Sequence, residues 1–213
     1  MTRPARIEAV LFDFDGTLCD TESKNIAFVR DILHGMGAPV TEEEAKSLAG
    51  GDDRVTVPPL LEKYGASGTI DDYERTRDGC YHIYATADLA LEPGARELVE
   101  SLRARGIAVG LVSTTISRCI LTVLDRLRAL GLFDVVVCGD MVERRKPNPD
   151  PYLRALELLG VDASCAVVVE DSPNGIAAGH AAGCYVVAYD GCSLSQDVSS
   201  ADEVISSYEG LEL

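Results

Sequence analysis

No apolar run in this 213-residue chain approaches the ~20 residues that a helix needs to cross a bilayer, so a membrane-spanning helix is not expected. Positive charge is scarce. Lys and Arg number 19 against 35 Asp and Glu, giving a net charge of -16, and aromatic residues make up 6%. Such a surface would repel a nucleic-acid backbone, and no basic aromatic stripe offsets the repulsion, so nucleic acid is not an expected partner. Paired cysteine spacing is also missing. Cys19, Cys80, Cys119, Cys138, Cys165, Cys184 and Cys192 are scattered and odd in number, which argues against a disulfide framework or a zinc site. The apolar segment Ile7 to Phe12 is short and runs straight into Asp13, unlike a secretory signal, and the expected compartment is the cytoplasm. No internal repeat or low-complexity tract is visible.

With 46% hydrophobic and 25% charged residues, the composition is that of a globular protein. The length suits one domain, or one large and one small. Short apolar runs at Ile7 to Phe12, Ala108 to Val112, Val135 to Cys138, Ala166 to Val169 and Tyr185 to Ala188 are too short for helices and too continuous for one-sided strands. They predict buried parallel strands. Helical spacing lies between the later ones: Ala95, Leu98, Val99 and Leu102; Ile120, Val123, Leu124 and Leu127; Leu153, Leu156 and Leu159. This alternation predicts an α/β fold with a doubly wound parallel sheet. Val204 and Ile205 suggest a short edge strand in an otherwise polar tail.

Residues 19–88 break the alternation with helical patterns such as Ile26, Val29, Leu33 and Met36, and Tyr73, Cys80, Tyr84 and Ala87. A small helical domain over 19–88, inserted after the first strand into a core of 1–18 and 89–213, is therefore expected, in the role of a lid over the ligand-binding ends of the strands. Gly35, Gly37, Pro39, Gly50-Gly51 and Pro58-Pro59 are expected to separate its helices.

Four segments at predicted strand ends carry candidate chemistry. In Asp13-Phe14-Asp15-Gly16-Thr17, two acids two residues apart could divide nucleophilic and proton-transfer work, or could simply end a strand with a turn. Ser113 and Thr114 could bind a phosphate oxygen at a helix start, or could cap that helix. Lys146, in the proline-stiffened Arg144-Arg145-Lys146-Pro147-Asn148-Pro149-Asp150-Pro151, could present a fixed ammonium or be a solvated loop lysine, with Arg144 and Arg145 as surface charges. Glu170 and Asp171, before an expected Ser172 N-cap and Pro173 first position, could ligate a hard cation or complement a helix dipole. Together these acids would repel a phosphate dianion unless a divalent cation and Lys146 offset them, so the set implies its own metal.

These motifs, in this order, resemble the haloacid dehalogenase-like superfamily, and the match spans nearly the whole chain. The helical insertion is similar to the cap of the subgroup containing phosphoglycolate phosphatase, sugar-phosphate phosphatases and β-phosphoglucomutase. The resemblance implies that Asp13 forms an aspartyl-phosphate and that Asp15 protonates the leaving oxygen and then activates water. It further implies that Ser113, Thr114 and Lys146 hold the phosphoryl group, with Thr17 supporting the turn and the phosphate side. Mg2+ would be bound by Asp13, the Asp15 main-chain carbonyl, Glu170 and Asp171. Asp15 sets the chain apart from the dehalogenases, which lack that second acid. Asn25 stands where the mutases carry a histidine, which favours hydrolysis. Lys24, Lys46 and Lys63 give no match to the lysine of the phosphonate-cleaving relatives. In the segment Ala49-Gly50-Gly51-Asp52-Asp53-Arg54, Arg54 and Gly51 fall where relatives place a specificity loop. The expected partner is a small phosphorylated metabolite and the expected state a monomer or weak dimer. A β-phosphoglucomutase-like activity and a non-catalytic phosphometabolite-binding role are the alternatives.

Overall fold

A computed structural model describes residues 1–48, 53–77 and 81–213. The chain forms two compact units, one of Met1–Asp20 with Leu89–Leu213 and one of Thr21–Asp88.

The larger unit is built on six parallel strands: β1 (Ala9–Phe12), β2 (Ala108–Val112), β3 (Val135–Val137), β4 (Ala166–Glu170), β5 (Tyr185–Tyr189) and β6 (Glu203–Ile205), in the order β3-β2-β1-β4-β5-β6. All the expected strands are present, and every residue of β1, β4 and β5 is buried. Strands buried on both faces carry continuous rather than alternating apolar sequence, which is why these short Val-rich runs read as a parallel sheet. The crossovers are helices with apolar stripes. Leu98, Val99 and Leu102 are buried on Ala95–Ala104, and Cys119, Ile120, Val123 and Leu124 on Ser117–Arg126. Each such buried aliphatic side chain stabilises the fold by roughly 1.5–3 kcal/mol relative to exposure. The helices Asp150–Leu159 and Pro173–Ala182 end on Gly160 and Gly183, at φ +68 and +89, left-handed positions that glycine occupies without strain. From β1 the chain runs outward through β2 to β3 and then crosses back to β4 on the other side of β1, so the ends of β1 and β4 form the switch point at which sheets of this kind place ligands.

The smaller unit contains the helices α1 (Glu22–Gly35), α2 (Glu42–Lys46), α3 (Asp53–Tyr64), α4 (Ile70–Arg77) and α5 (Tyr81–Thr86). A full capping box starts α2, with the Thr41 side chain accepting from the Glu44 backbone and Glu44 accepting from the Thr41 backbone. Pro58 and Pro59 do not separate helices as expected, because both lie inside α3. The missing backbone donors are offset there by burial of Val57 and Leu61, a tertiary contribution that outweighs local propensity.

Candidate active site

Strand register builds the site. Phe12 is in register with Leu111 on one side and Val169 on the other, so Asp13 emerges beside Val112 and Glu170. Its backbone N–H continues the ladder to the Val169 carbonyl at 2.9 Å. The chain then turns at Gly16, whose φ of +84 suits glycine and whose N–H donates to the Cys19 carbonyl at 2.9 Å. A side chain at this position would clash, since its Cβ would lie 2.2 Å from Asp171 Oδ2. The turn thus brings the first motif against the end of β4.

Lys146 sits at the centre with its side chain 3% exposed. Its Nζ donates to Asp13 Oδ1 at 2.6 Å, Glu170 Oε1 at 2.6 Å and the Val112 carbonyl at 2.8 Å, which accounts for all three ammonium protons. The loop carrying it is stitched down on both sides. Arg144 grips Asp150 through two bonds of 2.9 and 2.8 Å, and Arg145 Nε donates to the Gly139 carbonyl at 3.1 Å. Burial works against the charged ammonium, but the carboxylates of Asp13 and Glu170 more than reverse it and hold Lys146 above the ordinary lysine range.

Glu170 is fully buried and saturated with donors. Oε1 accepts from Lys146 and from the Tyr152 hydroxyl at 2.9 Å, and Oε2 accepts from Asp171 N, Ser172 N and Ser172 Oγ at 3.0, 3.2 and 3.0 Å. Gly175 makes room for it, because a Cβ there would fall 1.8 Å from the Glu170 carboxyl carbon. Ser172 and Pro173 take the N-cap and first helical positions as the sequence predicts.

Asp13, Glu170 and Asp171 are buried, and each offers a carboxylate oxygen within 4.8 Å of the others. Burial pushes the Asp13 carboxyl well above the usual carboxylate range. Lys146 opposes this, and Glu170, Asp171 and Asp15 add to it. Three acids against one ammonium leave an excess of negative charge, and hard oxygen donors at this spacing suit a divalent cation such as Mg2+. The donor chemistry and the space left by Gly16 beside Asp171 therefore fit the implied metal. Glu170 would have to release a present donor in order to share in holding it.

Asp15 is held apart from this trio. Its Oδ2 accepts from Ser113 Oγ at 3.2 Å and from Thr115 Oγ1 at 2.8 Å. Ser113 does not sit at a helix start as expected, because the following helix begins only at Ser117. Its hydroxyl accepts from Thr115 N at 3.0 Å and closes a local turn that delays the helix. Thr114 is exposed and Thr17 is fully buried. Thr17 Oγ1 donates to Asp171 Oδ1 at 3.3 Å, which ties its hydroxyl to the acidic cluster. The core unit thus brings together Asp13, Asp15, Thr17, Ser113, Lys146, Glu170 and Asp171.

The remaining candidates belong to the helical unit. Arg54 is 59% exposed and paired with Asp71 at 3.1 Å and with Glu74. Asn25 lines a small cavity with Ile26, Val29, Ala45, Leu48, Asp53 and Arg77, where Arg77 pairs with Asp53 and lies 3.5 Å from Asn25 Oδ1. Gly51 lies outside the described residues.

Sequence reasoning passed over Thr115, Tyr152 and Gln196. Thr115 stood beside two flagged hydroxyl residues. Tyr152 adjoins the helical pattern of Leu153, Leu156 and Leu159 without belonging to it, and Gln196 gave no signal in a polar tail. Cys19 is buried, and burial first, then the Asp15 carboxylate, pushes its thiol up to about 12. At pH 8 only about 1 in 10^4 of that thiol is thiolate, so iodoacetamide should label native Cys19 on the order of 10^3-fold more slowly than an exposed thiol. Rapid native labelling, located by peptide mapping, would refute that picture.

A sequence model of the family described as haloacid dehalogenase-like hydrolase matches residues 10–189. The chain is 35% identical over 181 residues to the phosphorylated carbohydrates phosphatase of Thermotoga maritima, covering 83% of this chain and 82% of that protein. It is 32% identical over 217 residues to protein CbbY of Cereibacter sphaeroides, covering 96% and 94%. The solved structure of CbbY from Rhodobacter sphaeroides in complex with phosphate superposes with a TM-score of 0.77 at 27% identity over 96% of each chain. With the family match and these relatives each spanning more than four fifths of the sequence, the chain belongs to the haloacid dehalogenase-like hydrolase family, as one of its phosphatases.

Proposed function

We propose that this protein is a Mg2+-dependent phosphatase that hydrolyses a small phosphate monoester, a phosphorylated sugar or organic acid, through an aspartyl-phosphate on Asp13. The observation that carries the reading is the division between two acids of one turn. Asp13 is buried among Lys146, Glu170 and Asp171, while Asp15 is held separately by two hydroxyls. Such a separation lets one carboxylate act as nucleophile and the other move protons.

In the first half-reaction an Asp13 oxygen attacks phosphorus and the ester P–O bond breaks. Lys146 already binds Oδ1, and among the described residues none donates to the other oxygen, which is the one free to attack. Protonated Asp15 gives its proton to the departing alkoxide. In the second half-reaction Asp15 takes a proton from water as that water attacks phosphorus, releasing phosphate and regenerating the Asp13 carboxylate. Ser113 and Thr115 keep the Asp15 carboxyl oriented through both steps, and Lys146 offsets charge on the phosphoryl oxygens. The cation would be held by the carboxylates of Asp13 and Asp171, with Glu170 behind them and the Asp15 main-chain carbonyl alongside. When bound, it supplies charge neutralisation and polarisation of the phosphoryl group. We assign substrate discrimination to the helical unit, with Asn25, Gly51 and Arg54 as candidates.

The relative named for phosphorylated carbohydrates supports a sugar-phosphate substrate class. A panel of phosphorylated sugars and organic acids, assayed for released phosphate, tests the reading. Turnover should require Mg2+, vanish on chelation and return when the ion is restored. Full activity after exhaustive chelation would remove the metal from the account, and isomerised sugar phosphate without phosphate release would favour a mutase.

A further inference from the structure

We propose that Gln196, in the segment between β5 and β6, is a positioning residue that holds the Asp171 carboxylate in its cation-binding orientation. The inference deepens the proposed function and rests on its assignment of Asp171 as a ligand. Asp171 stands at the end of β4, 7% exposed, and neither of its oxygens is left to rotate freely. Thr17 Oγ1 donates to Oδ1 at 3.3 Å, and Gln196 Nε2 donates to Oδ2 at 3.0 Å from 25 residues further along the chain. Oδ2 is also the atom that a side chain at Gly16 would strike at 2.2 Å, so the glycine lets the first motif approach closely the oxygen whose direction Gln196 fixes.

The chemistry of the donor is the second strand of the argument. An amide N–H is neutral, so it orients the carboxylate through one lone pair and leaves the other for a cation. A lysine or arginine in the same place would compete with the ion for the same charge. Neutral groups that hold a ligand from behind contribute about 10- to 100-fold to metal affinity. Lys146 donates to Asp13 and Glu170, so loss of the Gln196 contact should leave the phosphate-side grip intact.

The test uses the whole protein with Mn2+ as the probe, since Mn2+ favours the same carboxylate sites as Mg2+. Gln196→Met keeps the length and removes the donor, and Gln196→Ala removes both; unfolding midpoints establish that each variant is folded. Calorimetric titration should show Mn2+ bound about 10- to 100-fold more weakly in both variants. The Mg2+ concentration for half-maximal turnover should rise by the same factor, with kcat and substrate KM at saturating Mg2+ within about twofold of wild type. Unchanged Mn2+ affinity in folded Gln196→Met overturns the proposal, as does a wild-type protein that binds no Mn2+. Because binding is read without turnover, weakened Mn2+ binding in a protein that hydrolyses no ester would uphold the role of Gln196 while defeating the proposed function.

Discussion

Asp13→Asn is expected to lower kcat on the order of 10^4-fold or more while the folded protein, measured without divalent cation, becomes more stable. The activity half follows from chemistry, because an amide oxygen does not form the aspartyl-phosphate. The stability half follows from burial. The Asp13 carboxyl is pushed upward by desolvation, against Lys146 and together with Glu170, Asp171 and Asp15. A carboxyl whose folded pKa is raised contributes its full stability below its unfolded pKa and loses it as pH rises through the folded value. At neutral pH the charged form therefore destabilises the fold, and a neutral isostere relieves it. Thermal melts of both proteins in chelator across pH 4 to 8, roughly the window above the ordinary carboxylate range, should show the gap widening toward neutrality. A variant that melts lower than wild type at neutral pH, or that retains its activity, would count against the picture.

Lys146→Met is expected to have the largest effect on stability. The methionine has nearly the same length but removes the ammonium that, alone among the described residues, pairs with Asp13 and Glu170, whose side chains are 9% and 1% exposed. Removing one partner of a buried ion pair costs about 3–5 kcal/mol. For a chain of this size that corresponds to a drop in Tm on the order of 10 °C. The Val112 carbonyl also loses its 2.8 Å partner. Neutralising an acid as well should recover part of the loss, so Lys146→Met combined with Glu170→Gln should melt above the single variant. If the double variant melts lower by the sum of the two single effects, the charges are not coupled in the way the geometry implies.

The sheet was legible in the sequence for a physical reason. Strands such as Ala166–Glu170 and Tyr185–Tyr189 are buried on both faces and so carry unbroken apolar runs between turns. The acids and Lys146 were legible as candidates because each follows such a run at the end where the sheet turns. Local signals failed where tertiary packing decides the outcome. Pro58 and Pro59 read as breakers yet lie inside a helix that buries Val57 and Leu61, and Ser113 read as a helix start although its hydroxyl closes a turn four residues earlier. Thr115, Tyr152 and Gln196 carry no local mark of their role, because their partners Asp15, Glu170 and Asp171 lie far away in sequence or behind an ordinary helical pattern.

The most direct measurement is where the phosphoryl group goes. A substrate from the panel is mixed with the Mg2+-loaded protein, the reaction is quenched in acid within a turnover, and the acyl-phosphate is trapped by borohydride reduction before peptide mass mapping. The account predicts reduction at Asp13 alone, with none in Asp13→Asn. Steady hydrolysis with Asp13 unmodified throughout, or a phosphoryl group found on another residue, would contradict it.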